Sequence, residues 1–279
     1  MVKKQLQILT LLVSVLICGC EVIPQDERLI PMTIQSAERT HVLVEYTGFR
    51  CVNCPESEKT SSTLKQMYGD QLVVVAMHPK SNPFTQGNFD YTCPEADECY
   101  LMMGGTATTS FPTGNIDFVK NDGRYFIDHL EWTSKLQTAM HSTSAPHLHV
   151  AAVTDKQSRD VELTIRATAP QPLDVRLAVW LTEDSIKGVQ AMPDGKVNTA
   201  YYHRHVLRDA LNDQPLGWEI SIGPVEQNAA YHYSLPDGCE AEKCRFVALL
   251  FDKNDSHILQ AYETKLDFGN NVVAVHQRR

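Results

Sequence analysis

The chain has 279 residues, 43% of them hydrophobic, and a formal net charge of −9. An acidic balance of this size argues against nucleic acid as a partner and against a basic face that lies on anionic lipid; its main consequence is solubility. No glycine-rich phosphate loop, serine nucleophile elbow or clustered pair of catalytic carboxylates stands out, so the commonest hydrolase and nucleotide-binding classes have no support here.

Residues 1–4 are short and basic, and residues 6–19 form an apolar run of about fourteen residues. That is too short for a comfortable membrane span and right for the core of a signal peptide. The run ends in Ile17-Cys18-Gly19-Cys20, which resembles a bacterial lipobox, where the cysteine after a small residue is lipidated. Residues 1–19 are therefore expected to leave as a lipoprotein signal peptide, with Cys20 as the lipidated new N-terminus. A conventional signal peptide or an uncleaved anchor is the alternative. Each buried CH₂ of the acyl chains would contribute about 0.8 kcal/mol to tethering. Residues 20–39 read as a polar tether with one early strand near 32–35.

Of 8 cysteines, Cys18 leaves with the signal and Cys20 takes lipid. The others fall into the close pairs Cys51/Cys54, Cys93/Cys99 and Cys239/Cys244. Local pairs behind an export signal read as disulfides in an oxidising compartment, with local pairing the simplest connectivity.

The first domain is expected over residues 40–144. Residues 41–46 form an apolar run suited to a buried strand, followed by a turn at Gly48, the Cys51-Val52-Asn53-Cys54 motif and a helical pattern carrying Leu64, Met67 and Tyr68. Strand, turn, CxxC and helix are the layout of a thioredoxin-like redox motif. A helix N-terminus beside the first thiol favours its thiolate, Arg50 adds a positive charge, and Cys54 is placed to resolve a mixed disulfide at Cys51. Glu45 would accept a proton if it points inward; the plainer reading is a solvated strand residue. Residues 71–77 are a continuous apolar run, as in a central parallel strand, closing a right-handed βαβ unit. Residues 78–91 read as an irregular insertion and 93–103 as a short helix, with Glu95-Ala96-Asp97-Glu98 as solvated loop. Ser110-Phe111-Pro112-Thr113-Gly114 has the form of the cis-proline loop of thioredoxin-like folds; cis bonds are nearly confined to X–Pro, and Phe111, Pro112 and Thr113 are the expected substrate-facing wall. Residues 115–119 and 123–127 should make a hairpin, and 129–141 a closing helix.

Residues 142–146 are a linker by composition. From 147 to 279 the chain changes character. Short alternating runs at 147–154, 161–169, 175–181, 201–206, 218–222, 231–234, 246–252 and 259–266 are separated by turn signals such as Asp194-Gly195 and Asp237-Gly238. This is the pattern of an all-β, immunoglobulin-like sandwich. The fold class expected is thus an α/β thioredoxin-like domain followed by an immunoglobulin-like β-sandwich.

The lipobox at Cys20, the segment Thr47-Gly48-Phe49-Arg50-Cys51-Val52-Asn53-Cys54-Pro55, the Phe111-Pro112-Thr113-Gly114 loop and the trailing His205-Val206-Leu207-Arg208 together resemble the Omp28-related outer-membrane lipoproteins. The resemblance implies a thioredoxin-like domain plus an Ig-like domain on a lipoprotein of the Gram-negative outer membrane, facing the periplasm or the exterior. It implies no defined reaction. No Trp precedes Cys51, and Pro55 follows the second cysteine instead of lying between the two.

The function expected is thiol–disulfide exchange on exported proteins, with Cys51 as nucleophile and Cys54 as resolving thiol, and no cofactor. The alternative is a non-enzymatic binding, adhesion or assembly lipoprotein, with an unidentified envelope partner and a structural Cys51–Cys54 disulfide. A zinc site at Cys51, Cys54, Cys93 and Cys99 is conceivable, but those thiols are expected to be oxidised. His203 with His205, and His147 with His149, sit two apart on strands and lack a third ligand, so no metal is expected.

Overall fold

The computed structural model describes residues 37–142, 144–155 and 158–269. Cys20 and the early strand expected near 32–35 lie outside them. No helix among the described residues is long and apolar enough to cross a membrane.

A two-residue strand, β1 (Ala37–Glu38), leads into β2 (His41–Tyr46), every residue of which is buried. The strand is apolar throughout because both of its faces are covered. Val42, Val44 and Tyr46 pack into one cluster, while Leu43 packs with Leu64, Leu72, Val74, Trp132 and Leu136 on the other side. Glu45 shares the face of Leu43 by strand alternation.

Helix α1 (Cys54–Tyr68) begins with Pro55, whose missing N–H costs nothing in a first turn, and with Glu56, favoured at the positive dipole end. Its buried stripe is Cys54, Ser57, Ser61 and Leu64, a helical spacing in which two small polar residues stand where apolar ones would be usual. Gly69 ends the helix at φ 54°, its N–H returning to the Lys65 carbonyl. Strand β3 (Leu72–Met77) then pairs in parallel with β2, Leu43 opposite Val74.

Helix α2 (Pro94–Met102) contains the whole Glu95–Glu98 segment expected to be solvated loop, and Glu95 within it is buried. The acids occupy the first turn behind Pro94, where they complement the helix dipole. After the cis Phe111–Pro112 bond, β4 (Thr113–Ile116) runs antiparallel to β2 on the side away from β3. The hairpin expected over 115–127 is reduced to bridges at Gly114–Ile127 and Asn121–Arg124. Asp117 and Phe118 leave the strand with φ of 53° and 56°. There the Asp117 carboxylate accepts from the Val42 N–H (2.8 Å), from His41 Nδ1 (2.6 Å) and from Arg39 (3.1 Å). Helix α3 (Trp132–Ala139) buries Trp132 and Leu136 against the α1 side.

The remaining strands are β5 (Ser144–Ala145), β6 (His147–Thr154), β7 (Asp160–Thr168), β8 (Leu173–Glu183), β9 (Ile186–Ala191), β10 (Val197–His203), β11 (Val206–Ala210), β12 (Trp218–Ile222), β13 (Gln227–Ser234), β14 (Cys244–Asp252) and β15 (Ile258–Asp267). One mixed sheet of 11 strands carries the order β13-β7-β6-β15-β14-β8-β11-β3-β2-β4, with β12 also on β8; β1–β5 and β9–β10 are separate pairs. Thus β11 joins β3 in parallel through Val206 and Ala76 on one side and antiparallel β8 on the other.

Burial explains why the patterns of these strands differ. β6 and β7 alternate buried and open positions, whereas β8 and β14 are buried almost throughout. Val179, Leu181, Phe246, Ala248 and Leu250 face Val150, Leu163 and Ile165 in one core. Ala178, Trp180, Val247, Leu249 and Phe251 face Val42, Val44 and Val75 in another. The β8–β14 layer is therefore covered on both sides.

The strand expected over 201–206 is two. The chain breaks at Arg204–His205, where His205 takes φ 53°, so His203 and His205 do not share a strand face as expected.

Candidate functional site around Cys51 and Cys54

Cys51 and Cys54 form a disulfide with Cα atoms 5.4 Å apart. Cys51 lies in the turn before α1, its N–H on the Gly48 carbonyl, and Cys54 is the first helical residue. Both are nearly inaccessible, at 2% and 3% exposure, although Arg50, Val52 and Asn53 around them are exposed.

Strand β9 accounts for this. Gln190 donates to the Cys51 carbonyl (2.8 Å) and the Gly48 carbonyl (3.4 Å), and the Ala191 N–H donates to the Phe49 carbonyl (2.8 Å). The partner strand β10 is latched to α1: the Tyr201 hydroxyl donates to the Glu58 carboxylate, and Arg204 lies 3.7 Å from the same group.

Beneath the disulfide lies a cavity of about 10 Å³ lined by Glu45, Cys54, Glu58, Ser61, His78, Tyr201 and His203, among others, room for about one water. Glu45 on its wall is 3% exposed. The single Ser57 hydroxyl proton is shared between one Glu45 oxygen and the Cys54 carbonyl, and the Ser61 hydroxyl donates to the other Glu45 oxygen at 3.1 Å. Burial raises the Glu45 pKa from its ordinary 4.5 to about 7, against the opposing pull of Ser57. Burial also raises Glu58, against the Tyr201 hydrogen bond. It holds His78 well below its ordinary range and lowers His203 to about 4, so both imidazoles are neutral. The His78 ring nitrogens have no partner, while His203 Nε2 meets the Val189 carbonyl at 3.0 Å.

Phe111, Pro112 and Thr113, expected to face substrate, are buried in packing. Phe111 is 7% exposed, its ring 5.9 Å from those of Phe84 and Tyr100, and the Thr113 hydroxyl donates to the Ile127 carbonyl. Phe111 shares a cluster with Cys51 and Cys54. Pro112 is also buried.

Two expected bridges are not formed: Cys93, Cys99, Cys239 and Cys244 are free, buried thiols. Cys93 caps α2 in extended backbone and directs its sulfur to the Leu207 carbonyl (3.6 Å), while Cys99 lies in the helix interior. Cys239 lies in the turn before β14 and Cys244 is the first residue of that strand. Neither histidine pair gathers a metal site; among the described residues the groups that converge in that way are Asp252, Asp255, His257 and Glu95, Asp209, Asp213.

Glu45 was visible in the sequence as an alternative; Glu58, His78, Gln190 and Tyr201 were not. The signal for them was the pair Ser57 and Ser61 on the inner stripe of α1, which marks a polar surface opposite.

The family model described as outer membrane protein Omp28 matches residues 105–269. Among solved structures, HBP35 of Porphyromonas gingivalis is similar with a TM-score of 0.68 at 15% identity, covering 86% of this chain and 79% of that one. A structural-genomics target from Agrobacterium tumefaciens is similar with a TM-score of 0.51 at 13% identity, covering 87% of this chain and 100% of that one. A domain of the outer membrane lipoprotein Omp28 from P. gingivalis matches at 18% identity with a TM-score of 0.33, covering 44% of this chain and 88% of that one. Comparison with curated protein sequences finds no match.

Proposed function

The chain belongs to the Omp28 family of outer membrane proteins, and from that footing we propose that Cys51–Cys54 exchanges disulfides with proteins exported to the cell envelope. The order β2, CxxC, α1, β3 and the cis Phe111–Pro112 loop before β4 support a thioredoxin-like first half. The β6/β7 and β8/β14 layers support an immunoglobulin-like second half. Lipidation at Cys20 supplies the membrane tether in this account; loss of radiolabelled acyl incorporation in a Cys20→Ala chain is its test.

The observation that carries the reading is Glu45. A carboxyl group buried with only two hydroxyl donors is costly for folding, and it lies against the cavity wall made by Cys54. A substrate thiolate attacks the Cys51 sulfur; the new mixed disulfide forms as the Cys51–Cys54 bond breaks, and the electron pair leaves on Cys54. Protonated Glu45 gives its proton to that sulfur, directly or through one water in the cavity. A second substrate thiolate then attacks the substrate sulfur of the mixed disulfide and expels Cys51. The substrate dithiol has lost two electrons and the cysteine pair has gained them. The reverse sequence reduces a substrate disulfide, with ionised Glu45 taking the Cys54 proton. A Cys54→Ala chain, which cannot resolve the adduct, should accumulate mixed disulfides at Cys51 with exported proteins on non-reducing gels. A trap that captures none in an oxidising compartment would sink the proposal.

One observation favours a second reading. The 2% and 3% exposure of the cysteines beneath β9 suits a permanent disulfide in a binding module. Exchange requires that β9 lift from the motif, and Tyr201 on its partner strand β10, with Arg204 just after it, latches that hairpin to Glu58 of α1.

A further inference from the structure

Three carboxylates that the Cys51–Cys54 site does not use converge where the start of α2 meets the end of β11. Glu95 is the second residue of that helix, Asp209 lies on β11 and Asp213 ends the turn Leu211–Asp213. One ligand oxygen of each lies within 4.8 Å of the other two. No ion pair among the described residues includes any of them. Like charges at this separation repel strongly unless a cation or protons intervene.

A second observation is independent of the charge. Glu95 is 5% exposed and its Oε2 is buried with no hydrogen-bond partner. Buried polar atoms are almost always satisfied, and an orphan of this kind points to a missing ligand. Asp209, in contrast, is held from outside the cluster. The Ala210 N–H donates to its Oδ1 at 2.8 Å, and the Tyr233 hydroxyl donates to its Oδ2. Ligating carboxylates are commonly fixed by such donors, which orient them and leave lone pairs for a metal. The other acidic group, Asp252, Asp255 and His257, differs. Its carboxylates cap the backbone N–H groups of Asn254, Asp255 and His257 in their own turn, and no orphaned atom of these three residues lies there.

We propose that Glu95, Asp209 and Asp213 bind a divalent cation of the calcium type. The donors are all hard oxygens, without nitrogen or thiolate, which selects Ca²⁺ or Mg²⁺ over zinc or copper. Ca²⁺ accepts carboxylate oxygens about 2.3–2.6 Å away in flexible geometry, whereas Mg²⁺ demands near-ideal octahedral geometry at about 2.0–2.1 Å and retains most of its water. Three protein ligands, one exposed, leave positions for water and suit a weak extracellular site, with Kd of about 10⁻⁴ to 10⁻³ M. Bound there, the ion ties α2 to β11. That helix carries Tyr100, against which Phe111 packs, so cation binding steadies the wall behind the cis-proline loop. The inference stands whether or not Cys51–Cys54 exchanges disulfides.

The test is calorimetric titration of the mature chain with CaCl₂ and with MgCl₂, and thermal denaturation in millimolar CaCl₂ against EDTA. Asp213→Asn, on an exposed turn, and Glu95→Gln are the variants, each checked for native far-UV circular dichroism. We expect one site, a higher Tm in calcium than in EDTA, and at least about a tenfold loss of affinity in either variant, the usual consequence of removing a ligand charge. Absence of binding heat and of a Tm shift at 10 mM CaCl₂ (about ten times the upper Kd expected) would overturn the proposal. So would a calcium response preserved in both variants, or a magnesium response as large as that of calcium.

Discussion

Replacing Glu45 with Gln isolates the group on which the proposed chemistry depends. Its pKa stands at about 7 in the fold, against 4.5 for the ordinary group. The folded chain therefore binds this proton more tightly than the unfolded chain between those values. The stabilisation it contributes is fully present below pH 4.5, falls as pH rises and is lost once pH passes about 7. The shift corresponds to about 3 kcal/mol, and Glu45 is too buried for solvent screening to discount it. Glutamine keeps an oxygen for one serine and offers N–H to the other, but it cannot ionise. Urea denaturation of both chains, disulfide intact, at intervals from pH 4.5 to pH 8 gives the difference directly. Relative to wild type, the Glu45→Gln chain should gain about 3 kcal/mol across this range, on top of any constant offset from changed hydrogen bonds. Parallel stability curves would refute the reasoning: Glu45 would then titrate normally and be no reservoir for a proton at neutral pH.

Gln190→Ala removes the side chain that ties β9 to the Cys51 carbonyl. Loss of a hydrogen bond of about 1 kcal/mol should favour opening and speed reduction of the disulfide by dithiothreitol about fivefold, read by alkylation and mass spectrometry; an unchanged rate contradicts the idea that β9 must lift for exchange. Asp117→Ala leaves His41 and Arg39 facing a lost partner and the Val42 N–H unsatisfied. It should cost about 3–5 kcal/mol in urea, and a loss below about 1 kcal/mol would show that the cluster does not hold the end of β4. Gly217→Ala places a Cβ 2.0 Å from the Leu177 carbonyl oxygen at φ 73°, so it should lower Tm; an unchanged Tm refutes that packing.

Much of the frame was legible in the sequence, for identifiable reasons. Residues 41–46 and 72–77 are buried on both faces, and a strand covered twice is written as an unbroken apolar run. β6 and β7 have one open face and alternate as expected. What escaped was polar. β9, Ile186–Ala191, buries chiefly Gln190 and is otherwise half-open, so it carries no apolar period. Its role depends on contact with residues about 140 positions earlier, beyond the reach of pattern reading. The short helix expected over 93–103 is α2, but the charge of Glu95–Glu98 read as solvent exposure, whereas Glu95 is buried. The cysteine pairs show a related limit: Cys93 and Cys99 are close in sequence, but where a thiol points depends on the cap and helix that hold it.

The most direct test is the reduction potential of Cys51–Cys54 in the mature chain, equilibrated against glutathione and quenched by thiol alkylation, with the Cys51→Ser/Cys54→Ser chain correcting for the thiols of Cys93, Cys99, Cys239 and Cys244. Thiol–disulfide exchange predicts a midpoint between about −120 and −270 mV, the span of known exchange catalysts. A midpoint below about −300 mV would mark a structural bridge and contradict the proposed function.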